Sequence, residues 1–184
     1  MLELFVADRI EDYALIGNGS TAALVSRSGS IDWMCVPRFD SPACFAALLG
    51  EAENGRWLIS PVADCASVKR RYRAGTLVLE TEFTTPGGSV VLVDAMDRRS
   101  WNSDVVRLVR GVRGHVAMRT ELVIRFEYGS AIPWFSKAES HLWRAVAGPD
   151  RLTLAAPVEV RGEDFKTIAE FDVAEGQEIP FSLT

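Results

Sequence analysis

The run "DWMCVPRFDSP", Asp32 to Pro42, carries Trp33, Arg38, Phe39 and Asp40 in one short stretch. Arg38 offers a planar fork of donors and Asp40 a pair of acceptor oxygens, the chemistry that reads vicinal hydroxyls. Trp33 and Phe39 offer flat faces that cover the apolar C–H groups of a sugar ring, and Trp134 with Phe135 offers more such surface further along the chain. Pro37 and Pro42 restrict the backbone on either side, so the side chains between them are held at low entropic cost. Two structural roles compete with sugar contact. One is an internal Arg38–Asp40 pair; the other is an Asp40 side chain capping a short helix that begins near Pro42. For the aromatic residues, the competing role is core packing.

Bond-breaking chemistry asks for more: paired carboxylates, a Ser/His/Asp set, a Cys/His pair or a ligand cluster. None stands out. His115 follows a glycine in "RGH", where a turn is expected, and His141 opens "HLWRAV"; neither has a partner at motif spacing. "GNGS", Gly17 to Ser20, lacks the lysine and the following helix of a phosphate-binding loop and reads as a tight turn. Cys35, Cys44 and Cys65 match no metal-ligand spacing and read as buried free thiols. Asp32, Asp40, Asp94 and Asp97 fall at expected strand ends or turns, where aspartate ordinarily caps backbone. The chain is therefore expected to hold no catalytic residue, no metal and no cofactor.

At 184 residues, with 48% hydrophobic and 24% charged residues, the chain suits one globular domain spanning 1–184 with a real core. Its formal charge of −5 argues against a nucleic-acid partner. The one basic run, "KRRYR" at Lys69 to Arg73, reads as a solvated strand edge. No apolar run is long enough to span a bilayer, and "MLELFVADRIEDY" has acids where a signal peptide needs a basic start. No membrane partner and a cytoplasmic location are expected.

The elements that must position these residues show the period of strands. In "HVAMRTELVIRFEY", Val116, Met118, Thr120, Leu122, Ile124 and Phe126 share one face, and Arg119, Glu121, Arg125 and Glu127 share the other. "TLVLETEF" alternates likewise, and "TPGGS" turns the chain into "VVLVDAM" to make a hairpin. Turn signals recur about every ten residues, the spacing of an antiparallel sandwich or barrel. Only "PACFAALLG" departs, with Pro42 suited to a first helical turn and Gly50 to a stop. The expected fold is all-β, a large antiparallel β-sandwich with one short helix near 42–49. The ending "EGQEIPFSLT" reads as a strand without a polar tail, which suggests a polypeptide that continues.

The order of "IEDYALIGNGSTAALVSRSGSIDWMCVPRFDSPACFAALLG", "GRWLISP", "RRYRAGTLVLETEFTTPGG", "VVLVDAM", "RLVRGVRGHVAMRTELVIRFEYG" and "IPW" resembles the N-terminal domain of bacterial glycoside hydrolase family 15 proteins, the trehalase-like and glucoamylase-like group. The resemblance implies a supersandwich preceding an (α/α)₆ catalytic barrel, which carries the two glutamates of an inverting α-glucoside hydrolase. No residue of this chain matches either glutamate. A non-catalytic module follows, partnered by that C-terminal barrel, with a possible α-glucoside ligand. By the same resemblance, the Trp33–Asp40 stretch lies near the barrel mouth and contributes to the substrate pocket. The isolated domain is expected to self-associate through the apolar patch the barrel would cover. The competing reading is a stand-alone carbohydrate-binding module stacking sugar on Trp33, Phe39 and Trp134; a self-sufficient hydrolase is disfavoured because no acid/base pair can be named.

Overall fold

The computed structural model describes residues 9–97 and 105–184. In chain order the strands are β1 (Ala14–Gly17), β2 (Ala22–Val25), β3 (Ser30–Cys35), β4 (Ala43–Phe45), β5 (Arg56–Pro61), β6 (Ser67–Tyr72), β7 (Leu79–Thr85), β8 (Gly88–Met96) and β9 (Val105–Val123). After them come β10 (Trp134–Glu139), β11 (Leu142–Ala147), β12 (Asp150–Ala155), β13 (Arg161–Glu163), β14 (Lys166–Ala174) and β15 (Glu178–Leu183). The expected all-β fold is present, and every pairing among them is antiparallel.

The nineteen-residue β9 organises the rest. Its first half pairs with β8 and β15, in a layer ordered β6-β7-β8-β9-β15-β12-β11-β10. Its second half pairs with β5 and β14, in a layer ordered β1-β2-β3-β5-β9-β14-β13, with β4 beside β3. One strand thus belongs to both layers of the sandwich. The sequence reading puts a turn at Gly114, but the strand bends there and carries on. Gly114 takes φ +68 two residues past Val112, the residue that a bulge opposite Ser89 and Val90 leaves without a partner on β8, and Glu175 N–H donates to the Gly114 carbonyl at 3.0 Å. A Cβ at Gly114 or at Gly111 would collide with backbone carbonyl oxygen, of Gly87 and Ala174 respectively, so only glycine permits the crossing. Beyond the bend the expected alternation holds, with Val116, Met118, Thr120 and Leu122 buried.

Between the layers lies one continuous core that includes Ile31, Trp57, Phe83, Leu92, Val109, Met118 and Phe181. Arg107, on the first half of β9, is fully buried within it. Its Nε donates to Asp94 Oδ1 at 2.8 Å, its Nη1 to Trp57 O at 2.5 Å and its Nη2 to Gly29 O at 2.7 Å. The guanidinium also stands 5.1 Å from the centre of the Trp57 ring. Asp94 is therefore not the turn cap that its sequence position suggests. It lies in β8 directly across from Arg107, and burial raises its carboxyl pKa against the opposing pull of Arg107. Asp32 is likewise buried within a strand, accepting from Ser30 Oγ at 2.5 Å and Tyr13 Oη at 2.7 Å.

The expected helix over 42–49 is a correction. Residues 43–45 form β4, and only Ala47–Leu49 turn, as a single 3-10 turn ended by Gly50. Ala43 pairs with Cys35 and Phe45 with Met34, and residues 43–47 are all buried. Pairing with the exposed flank of β3 satisfies the backbone and buries the apolar run on both sides, which outweighs the modest helix propensity of alanine and leucine. The basic run behaves as expected: β6 is an edge strand, and Arg71 and Arg73 both donate to Glu80 at 2.8 Å. "GNGS" is a tight turn, in which Asn18 Oδ1 accepts from the N–H groups of Ser20 and Thr21.

Removing one member of the central pair strands the other in the core. Asp94→Asn or Arg107→Met is expected to lower the unfolding free energy by about 3–5 kcal/mol, and replacing both with apolar residues of matched volume to recover most of it; urea denaturation of the three variants checks this. Glu80 supplies a pH signature. Arg73 and Arg71 hold its carboxylate below the ordinary range, so its contribution is complete above the unfolded value of roughly 4.3 and is lost as pH falls through the folded value. Glu80→Gln is expected to flatten the acid limb of the stability–pH curve.

Candidate functional site

The candidate residues sit where chain leaves and re-enters the sandwich at one end. Trp33 lies on the outer face of β3, half-buried against Cys35, Ala43 and Ala46, with its ring tilted 38° to that of Tyr128 at 6.2 Å. After β3 the chain turns tightly: Ser41 N–H donates to Arg38 O at 3.1 Å, Arg38 N–H to Ser41 Oγ at 3.2 Å, and Phe39 N–H to Ser20 O at 3.0 Å. Phe39 is left 62% exposed.

Arg38 and Asp40 face each other across this turn. Arg38 Nε donates to Asp40 Oδ1 at 2.8 Å and Nη2 to Oδ2 at 3.2 Å, with both side chains in solvent. The arginine holds the Asp40 carboxyl below its usual range. Of the two structural roles open to this pair, the internal ion pair is the one formed. Asp40 caps no helix, because β4 follows and the 3-10 turn at Ala47 begins after Ala46 with no side-chain cap. The pair fixes the guanidinium plane and leaves its outer edge and the remaining carboxylate lone pairs open, a geometry suited to hydroxyl pairs.

Two grooves flank this end. The first, of about 300 Å³, is bounded by Pro37 and Pro42 from the turn, by Phe126 and Glu127, by Arg151 and by Thr184. The second, of about 820 Å³, is lined by Trp134, Phe165, Ile132 and Trp143 above a floor of Leu122 and Ile124. Trp134 is 79% exposed and Phe165 77%. Trp33, Phe39 and Trp134 do not line a common groove. Between the two grooves runs the loop closed by reciprocal Phe126–Ala131 backbone hydrogen bonds at 2.9 and 3.0 Å.

The reading of alternation missed two residues. Arg125 falls on the outer face by parity, yet it is buried, since β9 ends at Val123 and the period of two ends with it. Its N–H donates to Cys44 O at 3.1 Å, and its Nη1 donates to Ile124 O at 2.8 Å and Phe165 O at 3.2 Å. Burial lowers its pKa, with Glu53 acting in the opposite sense. Phe165 itself occupies the two-residue turn between β13 and β14 with φ +59, next to Asp164 at φ +47. Of the described non-glycine residues with positive φ, Glu127, Tyr128, Asp164 and Phe165 all border this end, and only His141 lies elsewhere. The signal for the turn was present as "EDFK", a pair of charges around two central residues, but nothing in that string marks the second position for glycine.

Burial raises the thiol pKa of Cys35 and, far more, of Cys44; Cys65 is half-buried and also raised. Among the described residues no group of three or more His, Cys, Asp or Glu side chains converges, and no helix is long and apolar enough to cross a membrane.

A family model described as trehalase-like, N-terminal, matches residues 5–179. The chain is 30% identical over 203 aligned residues to a trehalase of Mycobacterium tuberculosis, covering 95% of this chain and 29% of that protein. It is 29% identical to a trehalase of Mycolicibacterium smegmatis, over 95% of this chain and 30% of that protein. Against trehalase 2 of Sulfolobus acidocaldarius it is 36% identical over 64% of this chain and 19% of that protein. It thus spans less than a third of the length of these relatives.

Arg125 and the 38–40 pair should separate in their effect on stability. Arg125→Met takes the donor from the buried Ile124 carbonyl and from the part-buried Phe165 carbonyl and is expected to lower the unfolding free energy by about 1.5–3 kcal/mol. Arg38→Ala and Asp40→Ala, both in solvent, are expected to leave the thermal midpoint unchanged. Calorimetry on the 184-residue chain decides both.

Proposed function

This chain belongs to the trehalase-like N-terminal family, and from that premise we propose that it is the non-catalytic module of a family-15-like α-glucoside hydrolase acting on trehalose. The carrying observation is the asymmetry of the match: nearly all of this chain aligns with under a third of proteins named trehalase. The hydrolytic carboxylates, on this reading, belong to a C-terminal (α/α)₆ body. The module's part is to support folding of that body, dock on it and wall its sugar pocket. Three free thiols, two of them buried, fit a reducing compartment such as the cytoplasm.

The 38–40 turn is the element we assign to the pocket wall. It is held by the prolines and by its own ion pair, it presents Phe39 to solvent, and it borders the groove that contains Thr184. Trp33 sits behind it as support, packed against Tyr128. The stand-alone carbohydrate-binding reading draws on Trp134, whose exposure is high, but Trp33 is already engaged and no shared platform forms. Produced alone, the chain exposes apolar side chains at this end and is expected to self-associate.

The test compares the intact polypeptide with the 184-residue chain. The intact protein is expected to convert trehalose to one α- and one β-glucose, the outcome of inversion, as read by proton NMR, and the 184-residue chain to be inactive. Arg38→Ala and Asp40→Ala in the intact protein are expected to lower kcat/KM about tenfold, the scale of one charge-assisted hydrogen bond, at unchanged thermal midpoint. Full activity in both variants removes the pocket role. An intact protein that leaves trehalose untouched removes the substrate.

A further inference from the structure

Resting on that module reading, we infer that the groove around Trp134 and Phe165 is the seat of an apolar surface of the enzyme's catalytic body. The turn that carries Phe165 is the first reason. Two-residue hairpin turns with positive φ at both central positions favour Asn-Gly or Asp-Gly. Here the second position holds a phenylalanine at φ +59 that is 77% exposed. Both the backbone conformation and the wetted ring oppose folding of the chain by itself. Yet the turn is held rigidly, because the buried Arg125 donates to the Phe165 carbonyl. A strained turn clamped by a buried charge so as to project an aromatic ring outward is an anchor for something that covers it.

The lining says what covers it. Leu122, Ile124 and Ile132 are aliphatic, and they flank Trp134 and Phe165. Sugar sites combine apolar faces with convergent polar groups, but of the charged side chains lining this groove Lys166 pairs with Glu53 at 2.6 Å and Glu163 with Arg161 at 3.7 Å, which leaves Asp164, on the exposed tip of the turn, as a single carboxylate with no second polar group among the described residues converging on it. An apolar protein surface meets the lining better than a polyol does.

Position gives the occupant. Val146 lines this groove and pairs across β11–β12 with Arg151, which lines the groove holding Thr184. The two grooves lie on either side of the Phe126–Ala131 loop, so the polypeptide that follows the matched region in the trehalases starts out beside this face. That following part supplies most of their length, since the match covers 29–30% of two of them.

The test is amide hydrogen exchange on the 184-residue chain and on the intact polypeptide, each with and without the double substitution Trp134→Ser/Phe165→Gly. Trp134 is mostly in solvent and glycine relieves φ +59, so the 184-residue variant should keep its thermal midpoint. In the intact protein, amides of 132–135 and 163–167 are expected to exchange at least about tenfold more slowly than in the 184-residue chain, and the double substitution to erase that difference. Equal exchange in the two wild-type proteins overturns the inference. So does saturable quenching of tryptophan fluorescence by trehalose or maltotriose that Trp134→Ser abolishes, which gives the groove to sugar. A dimer of the intact protein that the double substitution dissociates gives it to a second copy, again overturning the inference. Trehalose hydrolysis by the intact protein reports on the module reading separately: hydrolysis without protection sinks the docking face alone, and protection without hydrolysis supports the face and sinks only the substrate. A reading frame that ends at Thr184 removes both.

Discussion

One buried guanidinium sets the geometry that the rest of this sandwich must respect. Arg107 reaches three acceptors on three different segments: Asp94 in β8, Trp57 in β5 and Gly29 in the β2–β3 turn. Two of these belong to the layer opposite its own pairing partners β8 and β15. A hydrophobic core alone tolerates small sliding of one sheet over another, because burial of apolar area is nondirectional. A charge with fixed acceptors does not, since any slide leaves it unpaired where no water can reach it. The pair need not be a large net source of stability to have this effect. It selects among packings that apolar contacts would leave nearly equal in energy.

The same logic extends to the open margin of the sandwich, where β1 and β6 are neighbours in space but belong to different layers. The Tyr72 hydroxyl accepts from Leu15 N–H and donates to Leu15 C=O, both at 2.9 Å. Arg27 donates from β2's end to Val68 O at 2.9 Å, and Arg70 donates back to Val25 O at 3.3 Å. Side chains thus occupy backbone groups that an unpaired edge would otherwise offer to another chain. With β9 joining the layers on one side and these bonds on the other, the scaffold has little freedom left. The loops at the end bearing Trp33 and Arg38 inherit that rigidity, which is what positions exposed side chains for contact.

What the sequence made legible follows from this construction. Alternation is a local signal, and it located β7 and the second half of β9, where one face meets the core, while β8, buried on both faces, reads as a short apolar run after a turn. Three charges that are buried, Asp94, Glu80 and Arg125, escaped it: Asp94 reads as a strand-end cap, and Arg125 falls on the outer face by parity, because a local pattern leaves a charge to solvent unless its partner is known. Those partners lie 13 residues away for Asp94 and 40 for the Phe165 carbonyl that Arg125 meets. The Gly114 bend was invisible for a related reason: a glycine in a polar triplet looks the same whether it turns the chain back or lets a strand pass between sheets. The helix over 42–49 was overruled by β3, whose free flank offered hydrogen bonds that local propensity cannot register. At the candidate site, the Arg38–Asp40 pair was one of two structural roles that the spacing left open, whereas the Trp134–Phe165 groove needed β10 and the β13–β14 turn to be brought together in space.

The distribution of polar and apolar groups therefore runs opposite to the usual gradient at two places, and the two inversions have different physical meanings. At the centre, Arg107 and Asp94 place charge where desolvation is most costly, and the gain is a unique alignment of the layers. At one end, Phe39, Tyr128, Trp134 and Phe165 place aromatic surface in water, and the folded chain gains nothing from it. Strain separates the cases further. Arg107 sits on ordinary extended backbone within β9, while Tyr128 and Phe165 occupy left-handed conformations at φ +57 and +59. Backbone strain and solvent-exposed rings on the same turns raise the free energy of the chain alone, and a contact that covers the rings recovers only the second of these. The turns persist because Arg125 and the Phe126–Ala131 bonds over-determine them, so the exposed rings are presented before any partner arrives and little ordering remains to be done on contact.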